Sequence, residues 1–417
     1  MLKAGSLVAL VMLLTVVPSA GAWTRLSTSA LDNGVDPSPV VLANGTELVA
    51  YREPRAHAVV VSVDGKTKTV AKGLAAVGDP RLVLQPNGSL VLFVSDQDGV
   101  VSYTSQNGTS WTGPAQTKST DTGDVQAAAA RKDGTPLFSQ DGTGFLNVFQ
   151  GAGGEVMHNV FSSCCGYAES LAVDSHGLAQ AAFWSNASGH GGYLYAKLGA
   201  TGSIASLKTL STGTTAENDA RVPLVADASG NTYVAFANGY PSPNALFVET
   251  LRGGGLAHKV TLAHGTFTGN EPLTALAVDA SGRLWAVWTQ GGSVWAARSR
   301  SHGAHFGAAV HVASPGSTYA LEAAARTDGL VDAIVNNGSS LQTERLLPGL
   351  TVQVTTQGAR VLDDGFPVAG ATVRAGGGST KTNAAGLASF DGLPHLAPHT
   401  VVSVTATGYA PAGGTTP

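Results

Sequence analysis

Three features of this sequence predict an all-β fold: a ring of seven short four-stranded sheets (alternatively six), ahead of a small C-terminal β-sandwich. First, an apolar run climbs into a polar-plus-glycine turn and falls into a second apolar run seven times. The copies read VVLANGTELVAY, LVLQPNGSLVLFV, AAAARKDGTPLF, LAVDSHGLAQAAFW, LVADASGNTYVAFA, ALAVDASGRLWAVW and AAARTDGLVDAIV. Second, the turn glycines Gly45, Gly88, Gly134, Gly177, Gly230, Gly282 and Gly329 are spaced by 43, 46, 43, 53, 52 and 47 residues. A period of that length means blades or solenoid units. Third, the first run of each repeat is small and apolar, as at Ala127 to Ala130. The second carries bulk, as at Phe93, Trp184, Phe236, Trp285 and Trp288. Small strands suit a crowded axis and large side chains fill the wedge between sheets, the requirements of a β-propeller.

Taken in order, the chain opens with Lys3, an apolar stretch from Leu7 to Val17 and the small-residue end Ala20-Gly21-Ala22. Residues 1–22 therefore read as a secretory signal peptide and predict a secreted, extracellular protein. No later segment approaches ~18 uninterrupted apolar residues, so no membrane insertion is expected. The following TRLSTS is strand-like but has no partner of its own, and it is expected to complete the last blade and pin the ring shut. Residues 23–348 hold the propeller. Turn pairs such as Asn44-Gly45 and Asp133-Gly134 supply the positive backbone angles of a tight hairpin. Third strands follow as AVVVSV, VVSYTS, FLNVFQ, YLYAKL, ALFVETL, SVWAARS and SLQTERL, and fourth strands in five repeats as TKTVAKG, VMHNVF, SLKTLS, HKVTLA and AVHVAS. Four strands of about six residues plus their turns fill the period. Residues 349–417 change character, to alternating short strands and polar turns such as LTVQVTT and TVVSVTATGYAPA.

Only 12% of residues are charged, with a formal net charge of −4, against about 25% charged in ordinary soluble domains. Without basic clusters the chain has nothing to neutralise a row of phosphates, which excludes nucleic acid as a partner. The same lack excludes electrostatic attachment to anionic lipid. A monomer is expected.

Thr104-Ser-Gln106-Asn-Gly108-Thr-Ser110-Trp111 resembles the Asp-box of the sialidase superfamily, Ser-x-Asp-x-Gly-x-Thr-Trp, with Gln106 in the Asp place. Ser299-Arg-Ser301-His-Gly303-Ala-His305-Phe306 is a second, more degenerate copy. The resemblance implies a sialidase-like propeller, with these boxes in turns between third and fourth strands; the Ala/Gly-rich composition suggests a bacterial source. The tract from Val35 to Glu53 is similar to a first sialidase blade, but Val35-Asp36-Pro37 stands where an Arg-Ile-Pro would bind the substrate carboxylate. Arg221-Val222-Pro223 has that look in the fifth repeat. At the C-terminus, Val368 to Val373, Thr382 to Gly386, Phe390 and Ala406-Thr-Gly-Tyr409 resemble carboxypeptidase-regulatory-like and bacterial Ig-like modules, which implies a spacer or stalk.

Shortly before each inner strand stands an acid: Asp36, Asp79, Asp124, Glu169, Asp219, Glu271 and Glu322. In a propeller these segments converge at the channel mouth, making an acidic ligand site with Arg221 and Tyr167 nearby. The plainer reading has each acid capping its own turn. No cofactor is required, although oxygen ligands in such a ring also suit a divalent cation. Cys164 and Cys165 are the only cysteines; in an oxidising compartment a vicinal disulfide between them is expected, the alternatives being a bridge to another molecule and two free buried thiols. No Ser-His-Asp order, phosphate-cradling loop or HExxH helix is present. The sequence thus favours a secreted, non-catalytic propeller binding a carbohydrate or other cell-surface ligand at its mouth. The alternative is an exo-glycosidase of sialidase-like architecture using two of the mouth carboxylates.

Overall fold

The computed structural model describes residues 24–27, 31, 35–73, 78–119, 123–142, 145–161, 166–199, 204–211, 221–238, 243–267, 272–394 and 396–417. The expected signal peptide, Cys164, Cys165, Asp219 and Glu271 lie outside the described residues. Two compact units divide at Leu347.

In the first unit, the described residues form seven four-stranded antiparallel sheets, the first six wound up and down in chain order. The first strands are Ser38–Val41, Arg81–Leu84, Val125–Ala130, Gly166–Val173, Leu224–Ala226, Thr274–Val278 and Ala320–Ala325. Each packs beside the first strand of the next sheet, and the seventh packs beside the first, so the sheets form a closed ring. The seventh sheet takes three strands from the end of the unit and its outermost from Thr24–Arg25, with Thr24 opposite Thr343 and Arg25 opposite Gln342. The expected closure is therefore observed, and it covers part of the edge of Leu341–Leu346 with a two-residue strand. Leu26, Leu31 and Val35 are buried at this seam with Tyr51, Ile334 and Leu341.

Aromatic side chains fill the wedges between neighbouring sheets. Phe93 of the second sheet meets Phe138 of the third at 4.5 Å between ring centroids. Phe161 of the third meets Phe183 of the fourth at 5.4 Å, and Tyr193 of the fourth meets Phe236 of the fifth at 5.0 Å. These separations are those of favourable aromatic pairs.

The turns between first and second strands share one geometry that differs from the expected two-residue hairpin. In each, the residue three before the glycine, such as Leu42 or Asp279, accepts from the glycine N–H, and its own N–H bonds the carbonyl just beyond the glycine. The loop is three residues long, with positive φ only at the glycine, 87° at Gly45 and 75° at Gly282. This is a type I turn closed by a glycine bulge, and asparagine or aspartate before the glycine serves it as well as it serves a two-residue turn. The two turns that carried the sialidase resemblance do join third to fourth strands, in the second and sixth sheets.

The second unit, Leu347–Pro417, has two four-stranded sheets. One pairs Thr351–Val354, Gly358–Asp363, Phe366–Pro367 and Leu387–Ser389; the other pairs Gly378–Lys381, Thr372–Ala375, Val401–Thr405 and Ala412–Thr415. Both contribute to one apolar core that includes Val361, Val373, Phe390 and Val404, the layering of a small sandwich.

Candidate functional site

Every first strand runs from one end of the ring toward a glycine turn at the other. The chain entering those strands gathers at the first end, and there the structure places a cavity of about 240 Å³. All seven first-strand segments line it, through Ser38, Arg81, Ala127, Ser170, Leu224, Thr274 and Glu322 among others. Arg221, just ahead of the fifth strand, completes its charged lining.

Arg81 is the anchor. Its side chain is only 5% exposed. Nε donates to the Gln126 carbonyl at 2.7 Å, and Nη2 reaches Asp36 Oδ2 at 3.5 Å. Arg221 Nη2 reaches the same Asp36 oxygen at 3.4 Å, while its Nη1 is paired with Glu322. Asp79 accepts from Arg52 Nε at 2.8 Å and from the Asp36 backbone N–H at 3.1 Å. Three arginines and the carboxylates of three separate sheets thus form one continuous network.

Its electrostatics follow from burial and alternation of sign. Burial, then the charge of Asp36, pushes Asp79 up to about 6, against the opposing pull of Arg81 and Arg52. Burial also raises Glu322, with Arg221 and Arg81 pulling it back. Arg81 is lowered, first by burial and then by the like charge of Arg221. Burial works against the charge on Arg221 too, but Glu322, Asp36, Asp79 and Glu169 together outweigh it and hold the guanidinium charged. Crowded carboxylates demand counter-charges, and here guanidinium groups supply them. Among the described residues, no group of three or more His, Cys, Asp or Glu side chains is arranged to hold a metal ion.

Of the expected site residues, Asp36, Asp79, Arg221 and Glu322 come together, with Glu169 buried within electrostatic reach of Arg221. Asp124 is exposed and lies against Gly78, apart from the cavity lining. Tyr167 is half-buried and stacks on Trp184 at 5.9 Å, also outside that lining. Sequence reasoning missed Arg81 and Arg52. Arg81 had a readable signal, because a charged residue opening the otherwise apolar strand RLVL needs a buried counter-charge. Arg52, at the end of a second strand, had none.

Acids that cap turns do exist, at the opposite end of the sheets. Asp279 Oδ1 accepts from the Ser281 and Arg283 N–H groups at 2.9 and 3.1 Å; Asp174 and Asp227 cap the fourth and fifth turns similarly. Turn capping is thus found at the end opposite the mouth, where ion pairs such as Asp279 with Arg283 and Asp332 with Arg326 accompany it.

The sequence matches no protein-family model and no curated protein. Among solved structures, a catalytically inactive virginiamycin B lyase from Staphylococcus aureus is similar, with 12% identity and a TM-score of 0.52 over 78% of this chain and 99% of that one. A gluconolactonase from Xanthomonas campestris is 11% identical, with a TM-score of 0.41 over 68% of this chain and 98% of that one. Identities this low speak for fold alone, and the lyase likeness supports the β-propeller.

Proposed function

We propose that this is a secreted, non-catalytic β-propeller that binds a carbohydrate or other cell-surface ligand at its channel mouth, with the C-terminal sandwich as a spacer. One observation carries the reading: the polar cavity where all seven first strands meet holds Arg81, Arg221 and Glu322. Fixed, part-buried donors and acceptors of both signs suit a hydroxyl-rich ligand, since each sugar hydroxyl both gives and accepts hydrogen bonds. A volume of about 240 Å³ suits a single sugar ring better than an extended chain. The expected result is specific binding on a glycan array by the intact protein, with affinity for the best hit lost when Asp79→Asn and Glu169→Gln are combined. Unchanged affinity in that folded double variant rules the mouth out.

The convergence of Arg52, Arg81 and Arg221 on one acidic network favours a second reading, an exo-glycosidase. Asp79, held near 6, has the protonation range of a general acid, and Asp36 beside it supplies a second carboxylate. Turnover of a fluorogenic sialoside or other glycoside, abolished by Asp79→Asn, would establish that reading over the first.

A further inference from the structure

An asparagine followed by glycine is chemically labile, because glycine lacks the Cβ that would shield its amide nitrogen from the carboxamide one residue earlier. Four such pairs lie wholly within the described residues, at Asn44, Asn87, Asn107 and Asn337. The fold treats them differently. Asn107 is exposed, but Gly108 is packed so tightly that a Cβ would stand 2.0 Å from Leu48 Cδ2. Asn337 is half-buried, and its Nδ2 donates to the Pro315 carbonyl at 3.5 Å, which holds back the leaving group. Asn44 is exposed, yet among the described residues one donor reaches its Oδ1, the Thr46 N–H at 3.0 Å.

Asn87 combines what the others lack. Both it and Gly88 are exposed, and a Cβ at Gly88 would meet open space. Its Oδ1 accepts from the Ser89 N–H at 3.0 Å and from Ser89 Oγ at 2.6 Å. The first of these bonds folds the carboxamide back along its own backbone, toward the Gly88 nitrogen. Together the two donors stabilise the negative charge that attack at Cγ places on Oδ1. In all four turns the glycine N–H is itself bonded, for Gly88 to the Gln85 carbonyl at 2.9 Å. Reaction therefore waits on local opening of the turn.

We propose that Asn87 is a site of spontaneous deamidation, with water as the co-reactant. Hydroxide takes the proton from the Gly88 nitrogen, which attacks Asn87 Cγ; Nδ2 leaves as ammonia and a cyclic imide remains. Water then opens the ring at either carbonyl, giving aspartate or isoaspartate at position 87. An amide and water are consumed, a carboxylic acid and ammonia are produced, and nothing is oxidised or reduced. Aspartate fits the turn, since Asp133 holds the same place in the third sheet and accepts from the Thr135 N–H at 2.9 Å. Isoaspartate does not, because it adds a main-chain carbon to a three-residue loop. The strain falls on Ser89, which bonds Gln85, whose Nε2 in turn donates to the Gly134 carbonyl of the next sheet. The modification thus loosens the link between the second and third sheets as the protein ages.

Incubation of the full chain for weeks in mildly alkaline buffer made with heavy-oxygen water tests this, with conversion at each asparagine followed by peptide mass spectrometry. Asn87 should convert about tenfold faster than Asn44, Asn107 or Asn337 in the folded protein. In urea the four should convert at similar rates, because the selection lies in the fold. Ser89→Ala removes one donor and keeps the N–H; it should slow the folded reaction at Asn87 several-fold, leave its rate in urea unchanged and keep the circular dichroism spectrum. Faster conversion at any of the other three in the folded chain overturns the proposal. So does an Asn87 that stays intact in the folded chain while the urea sample reacts. A folded rate unmoved by Ser89→Ala overturns the part assigned to the donors on Oδ1.

Discussion

At the scale of single residues, the charges buried among apolar strands are the informative ones. Glu47 lies at the seam between the first and seventh sheets, against Asp332, which is held by Arg326 at 3.0 Å and by Arg345. Burial first, then the hydrogen bond and like charge of Asp332, pushes Glu47 from 4.5 up to about 8, despite the pull of Arg326 and Arg345. The folded state therefore holds this proton more tightly than the unfolded chain does. The stability it contributes is complete below the unfolded value and is lost as pH rises through the folded one. Melting temperature should accordingly fall between about pH 5 and about pH 9, and Glu47→Gln should flatten that fall. A variant with the same slope as the unaltered protein would show that the seam carboxyls titrate normally. Such a pair is invisible in sequence, because Glu47 and Asp332 are far apart along the chain and only ring closure brings them together. Asp36 and Asp79 were legible because each lies just ahead of the first strand of its repeat; Glu322, expected ahead of its strand as well, lies within Ala320–Ala325, and Arg52 lies at a point the repeat does not mark.

At the scale of elements, the turn that joins first and second strands decides register. Asp279 is buried; besides the two backbone N–H groups, its Oδ2 accepts from Arg283 Nε at 2.7 Å and Trp285 Nε1 at 3.0 Å. Asp279→Ala strands four donors and should cost about 2–4 kcal/mol in urea denaturation. Asp133→Ala, at an exposed turn of the third sheet, should change the midpoint little. Similar costs for the two would mean that the capping network carries no stability. Glycines differ in the same way. Gly282 and Gly108 both have positive φ, but a Cβ at Gly282 meets open space while one at Gly108 would lie 2.0 Å from Leu48 Cδ2. Alanine at Gly282 should cost about 1–2 kcal/mol for backbone alone, and alanine at Gly108 more. Turn positions were readable, but the three-residue loop was not, since Asn-Gly and Asp-Gly fit both hairpin geometries. The fourth strand of the second sheet, Thr112–Gln116, escaped notice because TGPAQ is exposed throughout and carries no apolar pattern; pairing with its neighbour alone makes it a strand.

At the scale of the whole molecule, the ring exists because residues from the two ends of the first unit meet in one sheet. The Leu26 N–H bonds the Leu341 carbonyl at 2.8 Å, and Asn336 Nδ2 donates to the Val35 carbonyl at 2.9 Å. Leu26→Asp places an unpaired charge in that buried seam and should lower the melting temperature and promote association through the freed edge. A melting curve identical to that of the unaltered protein would mean that closure contributes nothing. Repeat period, small first strands and the unpartnered TRLSTS together made this architecture legible; the ligand was not, because seven distant segments share the mouth and no one of them carries a motif. Closure is what converts those segments into one cavity, so the account turns on where a ligand sits. Crystals grown with the tightest glycan from an array should show its density in the mouth, against Arg81, Arg221 and Glu322. Density on an outer strand or on the C-terminal sandwich, with the mouth network undisturbed, would contradict the account.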